Sequence, residues 1–302
     1  MTVLESADDH LDLDEGDEAP PAASIRLSHR FAALRASLRG GLVVYITAAD
    51  PDPETSLALL KGLPRAGVDV IELGMPFSDP MADGPAIQAA SRRALKAGGS
   101  LARTLAMVRA FRAGDDTTPL VLMGYYNPIY SHGPERFATE AAAAGVDGCI
   151  VVDLPPEEAD ELAGHLKSRH IDFIFLATPT TDCARLPIVL EKASGFIYYV
   201  SIAGITGTAS ATQQAIAQAA LRLRHQTSLP IAVGFGLNTP EQVAAVAGVA
   251  DAAVVGSSVV RRLAAGLDAQ GQARPGLVED VLFFVHTLAA ACRPASREET
   301  RP

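Results

Sequence analysis

The chain has 302 residues, 48% of them hydrophobic, with 25 Lys plus Arg against 35 Asp plus Glu and no Trp. That length allows one large α/β domain or two average ones and excludes a disulfide-stapled mini-domain. A formal charge of −10 argues against a nucleic-acid or anionic-membrane surface, because phosphate backbones are held by clustered Lys and Arg.

The charge is unevenly spread. Residues 1–22 hold eight acids (Glu5, Asp8, Asp9, Asp12, Asp14, Glu15, Asp17, Glu18) and no basic residue, which leaves only −2 for the rest. The segment lacks the basic start and apolar run of a signal peptide, and its acidity contradicts a transit peptide. It reads as a disordered acidic extension. No stretch reaches 18 apolar residues without polar breaks, so no membrane span is expected. Cys149, Cys183 and Cys292 show no metal-like spacing, which points to a reduced, cytoplasmic setting.

From Arg26 onward, short β-branched runs alternate with Ala/Leu-rich segments of helical period. The runs at 42–47, 68–73, 121–124, 149–152, 173–177, 196–201, 231–234 and 252–256 predict eight strands. Pro53-Glu54, Pro134-Glu135, Pro156-Glu157 and Pro240-Glu241 mark helix starts: proline loses no hydrogen bond in the first turn, and the acid complements the helix dipole. Asp52 and Thr239 are suitable N-caps. Ala66-Gly67-Val68-Asp69 and Ala144-Gly145-Val146-Asp147 read as helix stops before a strand. The long connection 74–120 has room for an extra helix at 86–97, and 277–290 reads as a closing amphipathic helix.

Eight alternating units with short connections predict an α/β fold, a single (β/α)8 TIM barrel with extra helices. An open doubly wound sheet is the alternative. The expected organisation is an acidic extension at 1–22, a barrel domain at 23–292 and a flexible tail at 293–302.

In a barrel, chemistry sits at the C-terminal strand ends. The densest such segment runs from Ile71-Glu72-Leu73-Gly74 through Asp79-Pro80 to Asp83-Gly84-Pro85. Glu72 ends an apolar strand. An unpaired carboxylate there is costly, so it either meets an Arg cation, faces solvent, or carries a raised pKa suited to acid/base work. Asp79 and Asp83, beside Pro and Gly, also fit ordinary turn chemistry. After the seventh and eighth strands come Gly234-Phe235-Gly236 and Gly256-Ser257-Ser258. Paired glycine turns, the second at a helix mouth, suit a phosphate held by backbone N–H groups. Ala203-Gly204-Ile205-Thr206-Gly207 after the sixth strand can complete that site or serve as a mobile lid.

Other chemistries lack their residues. Lys61, Lys96, Lys167 and Lys192 fall on helices or connections, which disfavours a Schiff-base nucleophile. The seven histidines do not pair at ligand spacing, so no metal is expected. Carboxylate chemistry remains, with a phenol as possible partner. Tyr198 and Tyr199 point to opposite sides of one strand, so only one of them faces the interior.

The run from Ile71 to Pro85 closely resembles the signature of tryptophan synthase alpha chains. It is joined in family order by Tyr45-Ile46-Thr47-Ala48-Ala49-Asp50-Pro51, Tyr125-Tyr126-Asn127-Pro128, Val152-Asp153-Leu154-Pro155 and the segment from Tyr199 to Gly207. The resemblance covers roughly Arg26 to Ala290. It implies a lyase that cleaves indole-3-glycerol phosphate to indole and glyceraldehyde 3-phosphate, a step of L-tryptophan biosynthesis. It also implies catalytic roles for Glu72, Asp83 and Tyr198, and substrate contacts at Tyr45, Thr206, Gly207, Gly236, Gly256 and Ser257.

The resemblance implies no cofactor in this chain. Pyridoxal phosphate belongs to a beta-chain partner in an alpha2beta2 assembly, and Asp79 and Asp153 fall near that contact. Ala49 stands where many members have Gly, Ile202 where many have Arg, and residues 1–22 have no counterpart. Two other readings are weighed beside the lyase: a phosphosugar isomerase or epimerase on a related barrel, and a chiefly allosteric subunit that activates its partner.

Overall fold

The computed structural model of the chain describes residues 25–201, 213–234 and 236–292. Nine parallel strand segments form one sheet: β1 (Gly41–Thr47), β2 (Val70–Gly74), β3 (Leu120–Gly124), β4 (Gly148–Val151), β5 (Asp172–Phe173), β6 (Phe175–Ala177), β7 (Ile197–Val200), β8 (Ile231–Gly234) and β9 (Ala252–Val255). Their order around the sheet is β5-β4-β3-β2-β1-β9-β8-β7-β6. The two end segments are consecutive in the chain and separated only by Ile174. They are the two halves of the expected fifth strand, and the chain itself closes the barrel there. Segment β5 pairs with β4 and β6 with β7. The eight-strand barrel is therefore present, with its fifth strand divided.

The described helices are α1 (Ile25–Ala36), α2 (Pro53–Gly62), α3 (Pro85–Lys96), α4 (Leu101–Arg112), α5 (Tyr126–His132), α6 (Pro134–Ala144), α7 (Asp160–Lys167), α8 (Arg185–Glu191), α9 (Gln213–Arg224), α10 (Pro240–Ala247), α11 (Ser257–Ala265) and α12 (Leu277–Ala291). Proline opens α2, α6 and α10 as expected. Asp52 caps α2 by accepting the Thr55 N–H at 2.8 Å, and Thr239 accepts the Gln242 N–H at 3.4 Å. The start expected at Pro156 is only a 3₁₀ turn, Pro156–Glu158, and the α-helix begins at Asp160. Helix α5, which begins within the Tyr125-Tyr126-Asn127-Pro128 motif, is not anticipated because its seven residues carry no apolar period. The acidic extension, the tail and the lid segment from Ala203 to Gly207 lie outside the described residues.

Side chains alternate between two layers along every strand. Leu42, Val44, Ile71, Leu73, Leu122 and Val233 pack outward against the helices. Val43, Val70, Val121, Ile150, Ile174, Phe196 and Val254 fill the interior, where Leu27, Phe31 and Leu34 of α1 join them. Helix α1 thus plugs the N-terminal end of the barrel, with the Phe31 and Phe196 rings 5.7 Å apart. With that end filled, the open end of the barrel is the C-terminal one, where barrels carry their sites.

The sealed end is also stitched by aspartates, of which Asp69 and Asp147 are buried and Asp251 is partly exposed. The N–H groups of Leu42, Leu120 and Ile231 donate to Asp69, Asp147 and Asp251 at 2.9, 2.8 and 2.9 Å. Each of these acids precedes a strand and binds the first residues of the strand beside it. Arg39 pairs with Asp69 at 2.7 Å, and Arg26 and Arg112 both pair with Asp147. A buried carboxylate so surrounded is satisfied rather than stranded.

Candidate active site

Glu72 is the third residue of β2 and points into the barrel, where it is 1% exposed. Among the described residues its Oε1 has no hydrogen-bond partner and Glu72 enters no ion pair. Burial pushes its carboxyl up to about 8. The arginine-paired and solvent-facing readings of this residue are therefore set aside. At that pKa the group holds its proton at neutral pH and can deliver it.

Tyr45 on β1 shares a register position with Glu72. Its ring is buried, and its hydroxyl lies 3.2 Å from Thr47 Oγ1. Gly74 makes that placement possible, since a Cβ there would run into the Tyr45 ring and hydroxyl. Gly256 packs from the other side, where a Cβ would stand 3.2 Å from Tyr45 Cβ.

Tyr198, not Tyr199, faces the interior: Tyr198 packs with the inner layer and Tyr199 with the outer one. Its phenol is shifted up by burial and, after that, by nearby Glu72 and Tyr45. Gly234 on the adjacent strand leaves room for it, as a Cβ there would sit 2.8 Å from the Tyr198 hydroxyl.

Asp83 lies in the loop between β2 and α3 and is half-buried. Gln88 Nε2 donates to its backbone carbonyl at 2.9 Å. The neighbouring Ala82 N–H donates to the Tyr125 hydroxyl at 3.0 Å. Burial pushes the Asp83 carboxyl up to about 6, against the opposing pull of hydrogen bonding from Tyr125. Two carboxyls with separated pKa values, one proton-bearing and one ionised at neutral pH, suit an acid/base division of labour.

Across the barrel mouth, Gly236 adopts φ +71° and Gly256 caps α11, which begins at Ser257. Ser258 Oγ donates to the Leu237 carbonyl at 2.9 Å and so binds the two glycine turns together. Arg261 bonds to Asn238, which in turn donates to the Gly236 carbonyl. The arrangement leaves the N–H groups of the first turn of α11 beside an open glycine turn, which suits an anion. Ile202, Thr206 and Gly207 lie outside the described residues.

Asp79 and Asp153 are exposed on the loops that follow β2 and β4, with the β3 loop between them. Ser78 Oγ donates to Asp79, and Asp153 accepts the Tyr126 N–H at 2.8 Å, fixing the start of α5. Sequence reasoning missed Tyr125 and Gln88 as partners of the Asp83 loop. It also missed a bidentate pair between Arg93 of α3 and buried Asp50, at 2.7 and 2.8 Å, although two arginines on α3 were a visible signal. Ala49, noted as a departure, adopts φ +65°, a left-handed conformation that explains a preference for Gly there. Among the described residues no group of three His, Cys, Asp or Glu is placed to hold a metal, and no helix is long and apolar enough to cross a membrane.

Residues 31–290 match the family model described as tryptophan synthase alpha chain. Curated alpha chains from Gluconacetobacter diazotrophicus and Acidiphilium cryptum are each 58% identical to this chain, over 89% and 90% of it and 98% and 99% of their own lengths. The crystal structure of the alpha subunit from Legionella pneumophila superposes with a TM-score of 0.81 at 38% identity, covering 88% of this chain and 98% of that one. A Mycobacterium tuberculosis tryptophan synthase structure gives 0.81 at 34% identity, over 90% and 100% of the two chains.

Proposed function

The chain belongs to the tryptophan synthase alpha chain family, and from that premise we propose how its barrel cleaves indole-3-glycerol phosphate to indole and glyceraldehyde 3-phosphate. The reaction breaks the bond from indole C3 to the glycerol side chain. It needs a proton delivered to C3, a base for the side-chain hydroxyl, and an acceptor for the ring N–H as positive charge develops on the indole.

Glu72 supplies the proton. Its carboxyl is buried, unpartnered on Oε1 and raised to about 8, and this single observation carries the reading. Once it has protonated C3, the resulting carboxylate can take the hydroxyl proton as the carbon–carbon bond opens, so the same group serves twice. Asp83, ionised at neutral pH, accepts the ring N–H and stabilises the charge that appears only on the way to the transition state. Tyr198 stands beside Glu72 as a buried phenol, and Tyr45 forms an aromatic wall for the indole. Gly236, Gly256 and Ser257, with Thr206 and Gly207, hold the phosphate through backbone N–H groups and hydroxyls.

No step draws on a cofactor in this chain. Pyridoxal phosphate belongs to the beta-chain partner, which takes the indole in an alpha2beta2 assembly in the cytoplasm. Asp79 and Asp153, exposed on the rim loops after β2 and β4, face that partner. The test is Glu72→Gln assayed for indole release from indole-3-glycerol phosphate. Turnover is expected to vanish while substrate still binds, and near-normal turnover would reject the assignment.

A further inference from the structure

Nothing in the reaction chemistry above assigns a task to Tyr125, yet its position is specific. It follows β3 directly, is 4% exposed, and presents its hydroxyl to the tip of the loop that carries Asp83. The hydroxyl oxygen accepts the Ala82 N–H at 3.0 Å. The ring is braced by Phe77 of the same loop, with centroids 5.3 Å apart. A phenol has one hydrogen to donate and lone pairs to accept. With the Ala82 N–H on a lone pair, the hydrogen remains for an acceptor, and the neighbouring acceptor is the Asp83 carboxyl.

We propose that Tyr125 is a positioning residue: its hydroxyl bridges the Ala82 backbone and the Asp83 side chain, aiming the carboxylate at the indole ring nitrogen. The inference rests on Asp83 acting as the ring N–H acceptor. Gln88 fixes the Asp83 backbone from the α3 side, so the two contacts hold main chain and side chain separately. Donation from Tyr125 also favours the ionised carboxylate, the form the reaction needs. A loop residue with a free carboxylate would sample many rotamers, and misplacement by about 1 Å is enough to cost roughly 100-fold in rate.

Tyr125→Phe tests this in the full-length chain, assayed for indole release alone and with the beta partner. The ring and its packing on Phe77 are kept, and only the hydroxyl is lost. The expected result is a kcat lowered 10- to 100-fold with KM changed less than threefold, and an acid limb of the kcat/KM profile moved to higher pH. Combining it with Asp83→Asn is expected to add little to the loss from Asp83→Asn alone, because the two act as one unit. Unchanged kcat, an unmoved acid limb, or fully multiplicative losses would each overturn the proposal. If the variant folds poorly, Phe77→Leu, which loosens the ring but keeps the hydroxyl, is expected to lower kcat less while still moving the acid limb upward, and an unmoved limb there counts against the bridge. Near-normal turnover in Asp83→Asn would instead overturn the role of Asp83 itself.

Discussion

Tyr45 and Glu72 occupy one register position on adjacent strands, so an aromatic ring and a carboxyl point into the barrel at the same height. The carboxyl is buried, and among the described residues it enters no ion pair. That is the condition under which a carboxylic acid keeps its proton at neutral pH. In the proposed reaction, the same pairing puts the proton donor beside an aromatic wall for the indole. Acid strength and substrate fit therefore come from one strand register.

The pH dependence of kcat/KM should be bell-shaped. Asp83 must be ionised and sits at about 6, while Glu72 must be protonated and sits at about 8. Activity should rise as pH passes the first value and fall as it passes the second. Initial rates of indole release across pH 5 to about 9.5 check this. In Asp83→Asn the residual activity should lose its acid limb and keep its basic one.

Glu72→Gln should stabilise the fold at high pH while removing activity. The group's folded pKa of about 8 stands above its ordinary value of 4.5, so the native state binds the proton more tightly than the unfolded chain. Stability of the parent protein then falls as pH rises between those values and levels off above the upper one. The amide does not titrate. Denaturant unfolding at pH 5 and pH 9 should show a gap between the two proteins that widens with pH, on the order of a few kcal/mol at the upper end. A constant gap would mean that Glu72 is not held protonated.

Gly74→Ala should disturb the aromatic wall. The added methyl group collides with the Tyr45 ring and hydroxyl, and overpacking of this kind costs about 1–3 kcal/mol. Thermal unfolding should register that loss, and kcat/KM should fall at least tenfold. Adding Tyr45→Phe removes the hydroxyl at the point of collision and should recover part of the stability. No recovery would place the strain elsewhere.

Asp147→Ala removes the carboxylate that receives Arg26, Arg112 and the Leu120 N–H. The Arg112 side chain is only 10% exposed, so it is left as a nearly buried cation without its carboxylate, held by the carbonyls of Gly145, Asp115 and Thr118. The expected loss is about 3–5 kcal/mol, read from chemical denaturation. The acid lies at the plugged end of the barrel, so kcat under folding conditions should be unaffected. A large change in kcat would show that the two ends of the barrel are coupled.

Most of the architecture was legible because strands and helices announce themselves differently. The runs at 231–234 and 252–256 fell within a residue of β8 and β9, and the extra helix at 86–97 is α3 displaced by one. The division at Ile174 was not legible, since five consecutive apolar-type residues from Phe173 to Ala177 carry no mark of a change of partner. Glu72 stood out as a carboxyl in an apolar strand. That its Oε1 finds no hydrogen-bond partner among the described residues depends on packing from strands far away in the sequence and had to be seen. Alternation alone separated Tyr198 from Tyr199 but did not choose between them. The repeated Gly-Val-Asp at 67–69 and 145–147 was read as a helix stop, and the aspartate in it proved to be the more informative residue. Its role of receiving an N–H from the adjacent strand has no local signature.

The divided fifth strand makes the cylinder a ribbon whose two edges meet at one residue. At Ile174 the hoop of interstrand bonds is thinnest, with two residues of β5 paired on one side and three of β6 on the other. Any breathing of the wall will begin at this seam, and its amides should trade their hydrogens with solvent sooner than those of β1, which is flanked along its length by β2 and β9.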